Sequence, residues 1–242
     1  MFELLRKRKV STHHYELEID GRSIPLTVRS NARARKMILR LDPGGDGAVV
    51  TIPAHADPAD GLDMARRQSA WLSGQLGALP DRLRFSEGVR VPYLGEDHIL
   101  CRMPGRRGII VRQDLAIHIP GEPEHMARRL TDWFKKQARQ EITTRAIAKA
   151  ALIERKPGRV TIRDTRSRWG SCSPGGSLNF SWRLMMAPEA VLDYVVAHEV
   201  AHLAHMNHGP HFWQAVAELT DDVQASREWL RTNGEHLHRI GP

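Results

Sequence analysis

The sequence predicts an α+β fold in which a β-rich N-terminal portion precedes a largely helical C-terminal portion. Short apolar segments separated by Gly and Pro dominate the first 120 residues, which is typical of strands joined by turns. A long segment of helical periodicity begins after Pro123, and two further helical segments follow it. This change predicts two domains, a β-rich region with one helix at 1–122 and a second domain at 123–242.

Eight strands and one helix are expected in the first domain. The strands are alternating or fully apolar segments that end at Gly, Pro or Asp-Gly turns. We expect them at 15–19, 24–28, 37–41, 48–52, 89–94, 98–103, 108–112 and 115–119. The helix begins at Asp57-Pro58, because Asp caps helices and Pro is tolerated in the first turn, and it ends before Pro80.

Helices dominate the expected structure of the second domain. Residues 124–151 place their apolar side chains on one helical stripe, and Pro157-Gly158 follows the end of that helix. The remaining expected elements are strands at 160–164 and 177–184 with a polar loop between them, a helix from Pro188 to about His205, and a helix from about His211.

The composition excludes several classes of protein. Hydrophobic residues make up 41% and charged residues 26% of the 242 residues, which is ordinary for a globular protein and excludes disorder as the main state. No run of about 18 apolar residues occurs, so we expect no membrane-spanning helix. The N-terminus is charged by residue 6, and Cys101 and Cys172 are too few for a disulfide framework. Together these features favour a cytoplasmic protein.

The net charge of +8 allows an anionic partner. Only seven of the 36 basic residues are lysine, and arginine binds phosphates and carboxylates with two parallel hydrogen bonds. Nucleic acid is therefore one candidate partner. A general bias towards arginine in the composition explains the same observation without any recognition role.

Five histidines lie within fourteen residues, and two of them form the motif His198-Glu199-Val200-Ala201-His202. A spacing of four on a helix places both imidazoles on one face, where they can bind one Zn²⁺. Glu199 lies about 100° around the helix from His198 and can accept a proton from a metal-bound water. The motif predicts one zinc ion per chain, with Glu199 as the catalytic base.

Catalytic zinc requires a third protein ligand and an open fourth position. His205, His208 and His211 are the candidates. We prefer His208, because it lies beyond the expected end of the helix, where a turning chain can fold back over the metal.

A second group of polar residues precedes the histidine motif. Arg166 and Arg168 precede a turn at Gly170, and Asn179 and Arg183 lie on the next expected strand. Such residues can form a wall that holds an anionic group or polarises a carbonyl. The alternative is that the arginines are paired structurally around a core. For Cys172, a buried inert thiol is the preferred interpretation.

The segment TRSRWGSCSPGGSLNFSWRLMMAPEAVLDYVVAHEVAHLAHMNHGPHFW resembles the signature block of the YgjP-like metallopeptidase-domain family of zincins. That block reads R-x-R-W-G-S-C-S, N-W-R-L, D-Y-V-V-x-H-E-x-A-H and N-H-x-x-x-F-W. The resemblance implies a zincin-like catalytic domain at 123–242, similar in fold to minigluzincin and SprT-type peptidases, with His208 as the third zinc ligand. One departure is Ser181, which stands where the family more often has Asn.

Three functions are consistent with these patterns. The first is a zinc metallopeptidase acting on peptide or protein substrates. The second is a metal-dependent nucleoside triphosphate pyrophosphatase, since similar proteins have been linked to that activity and arginines suit phosphates. The third is a DNA-associated protein whose basic surface binds the duplex.

Overall fold

The computed structural model describes residues 11–42, 45–165 and 168–242. Contacts between residues divide the chain into two compact units, with the boundary between Pro80 and Asp81. The expected boundary at 122 and 123 instead lies inside the second unit. The physical reason is a shared core, because Leu100 and Ile117 of the preceding strands belong to the same buried cluster as Phe134 of the long helix.

The first unit contains a four-stranded sheet and two helices. Its elements are β1 (Thr12–Ile19), β2 (Arg22–Asn31), β3 (Ile38–Leu41), β4 (Ala48–Pro53), α1 (Pro58–Arg67) and α2 (Ser69–Gly77). The strand order is β1-β2-β4-β3. β1 and β3 are antiparallel to their neighbours, whereas β2 and β4 pair in parallel.

Helix α1 packs closely on this sheet. Asp57 caps its N-terminus by accepting a hydrogen bond from the Ala59 backbone N–H. Gly61 permits the close approach, because a Cβ there would lie 2.8 Å from the Val28 side chain and 3.1 Å from that of Ile52. The expected single helix is divided at Gln68, whose backbone leaves the helical conformation and separates α1 from α2.

The second unit contains three small sheets and four helices. Its strands are β5 (Leu83–Arg84), β6 (Arg90–Tyr93), β7 (Glu96–Met103), β8 (Val111–Gln113), β9 (Ala116–Pro120), β10 (Val160–Arg163), β11 (Gly170–Cys172), β12 (Leu178–Ser181) and β13 (Ile240–Gly241). Its helices are α3 (Pro123–Leu152), α4 (Glu189–Ala201), α5 (Pro210–Leu219) and α6 (Val223–His238), with a 3-10 helix at Trp182–Met186. The sheet orders are β6-β7-β9-β8, β10-β12-β11 and β13-β5.

Two elements of this unit differ from the sequence expectation. Residues 170–172, expected in a polar loop, form strand β11, which pairs antiparallel with β12. The strand expected at 177–184 ends at Ser181, because the Ser181 side chain accepts a hydrogen bond from the Arg183 N–H and caps the 3-10 helix.

The long helix α3 and the buried helix α4 form the centre of the second unit. The stripe expected on α3 is buried, and its members include Leu130, Phe134 and Ala138. α4 is apolar on nearly all sides and is enclosed by its neighbours, and its exposed residues, Glu189 and Ala190, lie at its first turn.

The structure confirms the α+β class predicted from the sequence. No helix in the described part of the chain combines the length and apolar character that a bilayer span requires.

Candidate metal centre

Three histidines meet where α4 ends. His198 lies on the last turn of α4, His202 caps its C-terminus, and His208 lies in the loop before α5. Each offers one ring nitrogen, and these three atoms lie within 4.8 Å of one another. The Nε2 atoms of His198 and His208 are 3.2 Å apart.

The loop after α4 turns back because its backbone groups are bonded locally. The His205 N–H donates to the Ala201 carbonyl, and Gly209 with Pro210 begins α5. The Nδ1–H of His202 donates to the His205 carbonyl at 3.0 Å. That bond fixes the tautomer, so the lone pair of His202 is on Nε2, which is available to a metal.

Burial favours the neutral form of two of these imidazoles. The pKa of His198 is lowered to about 4, mainly by burial and in addition by the neighbouring His202, His208 and Arg227. Burial also lowers the pKa of His202, although its bond to the His205 carbonyl opposes that shift. A neutral imidazole is the form that binds a metal ion.

An aromatic floor supports the three rings. Phe212, on the first turn of α5, is fully buried, and its ring centroid lies 4.9 Å from that of His198, 4.5 Å from His202 and 4.6 Å from His208. Trp213 lies 5.8 Å from His198 and 5.9 Å from His208. These contacts fix the orientation of the imidazoles on the side away from the shared centre.

Glu199 is held against β11. Gly170 is essential to this arrangement, because a Cβ there would lie 2.5 Å from Cγ and 2.6 Å from Oε1 of Glu199. Burial raises the pKa of Glu199 to about 7, and Arg168 opposes that rise. The Glu199 carboxyl group can therefore take up and release a proton near neutral pH.

The donor set fits a metal ion. Two ligands bound at about 2.0–2.1 Å in tetrahedral geometry are separated by about 3.3 Å, close to the 3.2 Å between the His198 and His208 nitrogens. The buried Nδ1 of His198 has no hydrogen-bond partner in the described structure. The polar contact of that ring is made by Nε2, which faces the Nε2 of His208. Three imidazole ligands suit zinc and other first-row transition metals.

His205 and His211, the other candidates for the third ligand, lie outside this cluster. Their rings stack on each other with centroids 6.1 Å apart. Among the described residues, the group of His198, His202 and His208 is the one set of three or more potential ligands that converges on a point.

Of the four residues expected to bind substrate, the three that the structure describes do not share one site. Arg168 is exposed and lines a cavity next to Glu199. Asn179 bridges neighbouring strands instead, accepting from Arg163 at 3.1 Å and donating to Ser171 at 3.4 Å. Arg183 is buried, pairs with Asp164 and packs over the Trp182 ring. Arg166 lies outside the described residues.

The cavity beside Glu199 has a volume of about 270 Å³. Its wall combines the last turns of α4 with β11 and α6. The lining residues are Arg168, Trp169, Gly170, Tyr194, Val195, His198, Glu199 and Leu230. A substrate in this cavity would therefore touch both a candidate metal ligand and the candidate base.

The comparison with protein families matches residues 35–233 to the family described as YgjP-like, metallopeptidase domain. The chain belongs to the YgjP-like family. The histidine cluster, Glu199 and the cavity all lie within the matched region. Membership supports a hydrolase of the metallopeptidase type. Comparisons with curated proteins and with solved structures give no significant match.

Sequence reasoning assigned no role to three residues of this YgjP-like site. Gly170 makes room for Glu199, Phe212 supports the imidazoles, and Tyr194 lines the cavity. All three lie in the signature block, as the Gly of W-G-S-C-S, the Phe of N-H-x-x-x-F-W and the Tyr of D-Y-V-V. The signal was present, but spacing alone did not show what each residue contacts.

Proposed function

We propose that the protein is a zinc-dependent metallopeptidase in which His198, His202 and His208 bind one zinc ion per chain and Glu199 is the general base. The observation that carries this proposal is the convergence of three imidazoles on one point, with His198 and the buried Glu199 carboxyl group lining the same cavity. Membership of a metallopeptidase family supports the same conclusion.

In this proposal the zinc ion activates the water and Glu199 transfers the proton. Zinc held by three protein ligands keeps an open position and lowers the pKa of a bound water from about 15.7 to about 7. The Glu199 carboxylate accepts the proton of the attacking water and delivers it to the leaving amine. Its raised pKa suits both steps, because a group with a pKa near the working pH exchanges protons readily in either direction.

A peptide is the proposed substrate, in preference to a nucleotide or duplex DNA. Trp169, Val195 and Leu230 give the cavity an apolar wall that suits an amino-acid side chain. Two of the groups expected to bind a phosphate, Asn179 and Arg183, are bonded to other side chains away from the cavity. Neither nucleotide nor DNA binding is therefore part of the proposal.

Metal removal and restoration test the function. The purified protein is stripped with a chelator, dialysed, and assayed on a mixture of quenched fluorescent peptides with and without one equivalent of zinc. Nucleoside triphosphates are assayed in parallel. We expect peptide hydrolysis that disappears with the metal and returns on adding zinc. Hydrolysis of nucleoside triphosphates without hydrolysis of any peptide would contradict the proposal.

A further inference from the structure

One arginine lines the cavity beside Glu199, and a second lies on α6 near the same site. Arg168 lines it directly. Arg227 lies on α6, one turn before the lining residue Leu230, and its guanidinium carbon is 4.7 Å from the centroid of the Trp213 ring. The Trp213 ring is in turn 5.8 Å from that of His198, which places the Arg227 charge next to the metal centre.

Neither guanidinium is neutralised by a neighbour. Within the described parts of the chain, no carboxylate lies within ion-pair distance of Arg168 or Arg227. Other arginines nearby do have such partners, since Arg231 pairs with Glu228 on α6 and Arg183 pairs with Asp164.

The charges of both arginines lie close to the cavity. Arg168 is a lining residue, and the Arg227 guanidinium lies over the Trp213 ring, whose centroid is 5.8 Å from that of His198. Glu199 is the one acidic residue among those lining the cavity, so the two arginines together outweigh the charge of its carboxylate. Such a field attracts an anionic group and repels a cationic one.

We propose that this cavity selects peptides that carry a carboxylate close to the bond to be cleaved, and that Arg168 and Arg227 bind that carboxylate. The inference rests on the proposed peptidase function and adds its substrate class. Guanidinium groups bind carboxylates through charge-assisted hydrogen bonds. The carboxylate can come from an Asp or Glu side chain or from a free C-terminus, and the apolar wall receives the rest of the residue.

Matched peptides test the preference. Quenched peptides with both ends blocked carry Glu, Gln or Lys next to the cleaved bond, and a second pair differs only in a free or amidated C-terminus. We expect the kcat/KM of zinc-loaded wild-type protein to be about 3- to 10-fold higher for the peptide with the carboxylate than for its neutral match, in one of these comparisons. One or two partly exposed ion pairs contribute a preference of that size. The pair that shows the preference identifies the source of the carboxylate.

Arg227 is the residue to substitute first, because Arg168 also influences Glu199. Arg227→Gln is expected to bring the ratio of the two kcat/KM values close to one. Arg231→Gln on the same helix is the matched control, since Glu228 already neutralises Arg231, and it should keep the wild-type ratio. An unchanged ratio in Arg227→Gln, or an equal fall in Arg231→Gln, would overturn the assignment.

A binding measurement separates this inference from the proposed function. Zinc-loaded Glu199→Gln protein is titrated by calorimetry with the Glu and Gln peptides and with ATP at low and high salt. We expect tighter binding of the Glu peptide and a preference that shrinks at high salt. Equal affinities for the two peptides, or tighter binding of ATP, would overturn the inference. A preference in binding without hydrolysis of any peptide by wild type would instead contradict the peptidase function and retain the carboxylate site.

Discussion

At the scale of single residues, burial determines the chemistry of the candidate centre. It lowers the pKa of His198 to about 4 and raises that of Glu199 to about 7, because a charged group loses hydration when it leaves water. Burial thus favours the neutral imidazole of His198, the form that can bind a metal ion. A bound cation would favour the carboxylate form of Glu199, which is the form required of a base.

The contact between Gly170 and Glu199 gives the first prediction. Gly170→Ala introduces a Cβ 2.5 Å from the Glu199 side chain and displaces that carboxylate. We expect kcat to fall by about 10²-fold, since a misplacement of about 1 Å costs that much. Zinc content, measured by mass spectrometry of the metal, should remain at the wild-type value. Gly175→Ala is the control, because a Cβ at Gly175 meets nothing within 4 Å. Wild-type activity in Gly170→Ala would contradict the placement of Glu199.

The identity of the third ligand gives the second prediction. His208→Ala should weaken zinc binding by more than about 100-fold, a larger effect than the loss of a residue that only orients a ligand. His205→Ala and His211→Ala are controls on the same segment and should bind zinc nearly as wild type does. Competition with a chromophoric chelator measures all three affinities. Loss of zinc in either control, with retention in His208→Ala, would refute the ligand set.

At the scale of elements, Asp193 anchors helix α4, which carries the histidine motif. It accepts from Lys149 on α3 at 2.8 Å and from Thr220 at the end of α5 at 2.8 Å, and it pairs with Arg145 on α3. Lys149 also donates to the Leu219 carbonyl. These bonds join α3, α4 and α5.

Removal of this anchor should destabilise the fold. Asp193→Ala leaves the Lys149 amine, whose side chain is only 12% exposed, without a counter-ion. We expect the free energy of unfolding to fall by about 1–3 kcal/mol. Glu228→Ala removes an exposed pair and should leave the free energy of unfolding nearly unchanged. Urea unfolding followed by circular dichroism compares the two variants. Equal stabilities would show that Asp193 does not anchor α4.

The helices were more predictable than the short strands for a physical reason. The periodicity over 124–151 and the apolar run before His198 are local patterns, and both became helices within a few residues of the expected bounds. β11 is three residues long and becomes a strand only because β12 lies beside it. Similarly, Asn179 and Arg183 bond to residues distant in sequence, and no local pattern indicates those partners.

At the scale of the whole molecule, every residue of the candidate centre lies in the second compact unit. The convergence of His198, His202 and His208 could be predicted from spacing and resemblance, whereas the roles of zinc ligand and base stay predictions. The division after Pro80 could not, because it depends on which strands share the core of α3. The cavity and its arginines also required the structure, since α6 contributes Leu230 and Arg227 from beyond the motif.

This location predicts a local response to metal removal. Chelation should accelerate amide hydrogen exchange in α4, α5 and the loop between them, because the metal links these elements through His198, His202 and His208. Exchange in β1–β4 should not change. Mass spectrometry of peptides from metal-loaded and stripped protein measures both regions. A uniform change over the chain, or none, would argue against a metal centre at this position.

The central claim is that Glu199 moves the proton in a reaction at the three-histidine centre. The most direct test is zinc content and peptide hydrolysis of Glu199→Gln beside wild type. Glutamine has nearly the same size and cannot accept the proton, so we predict one zinc ion per chain in both proteins. We also predict a loss of kcat in Glu199→Gln of about 10²–10⁴-fold. A zinc-loaded Glu199→Gln protein that hydrolyses peptides at the wild-type rate would contradict the account.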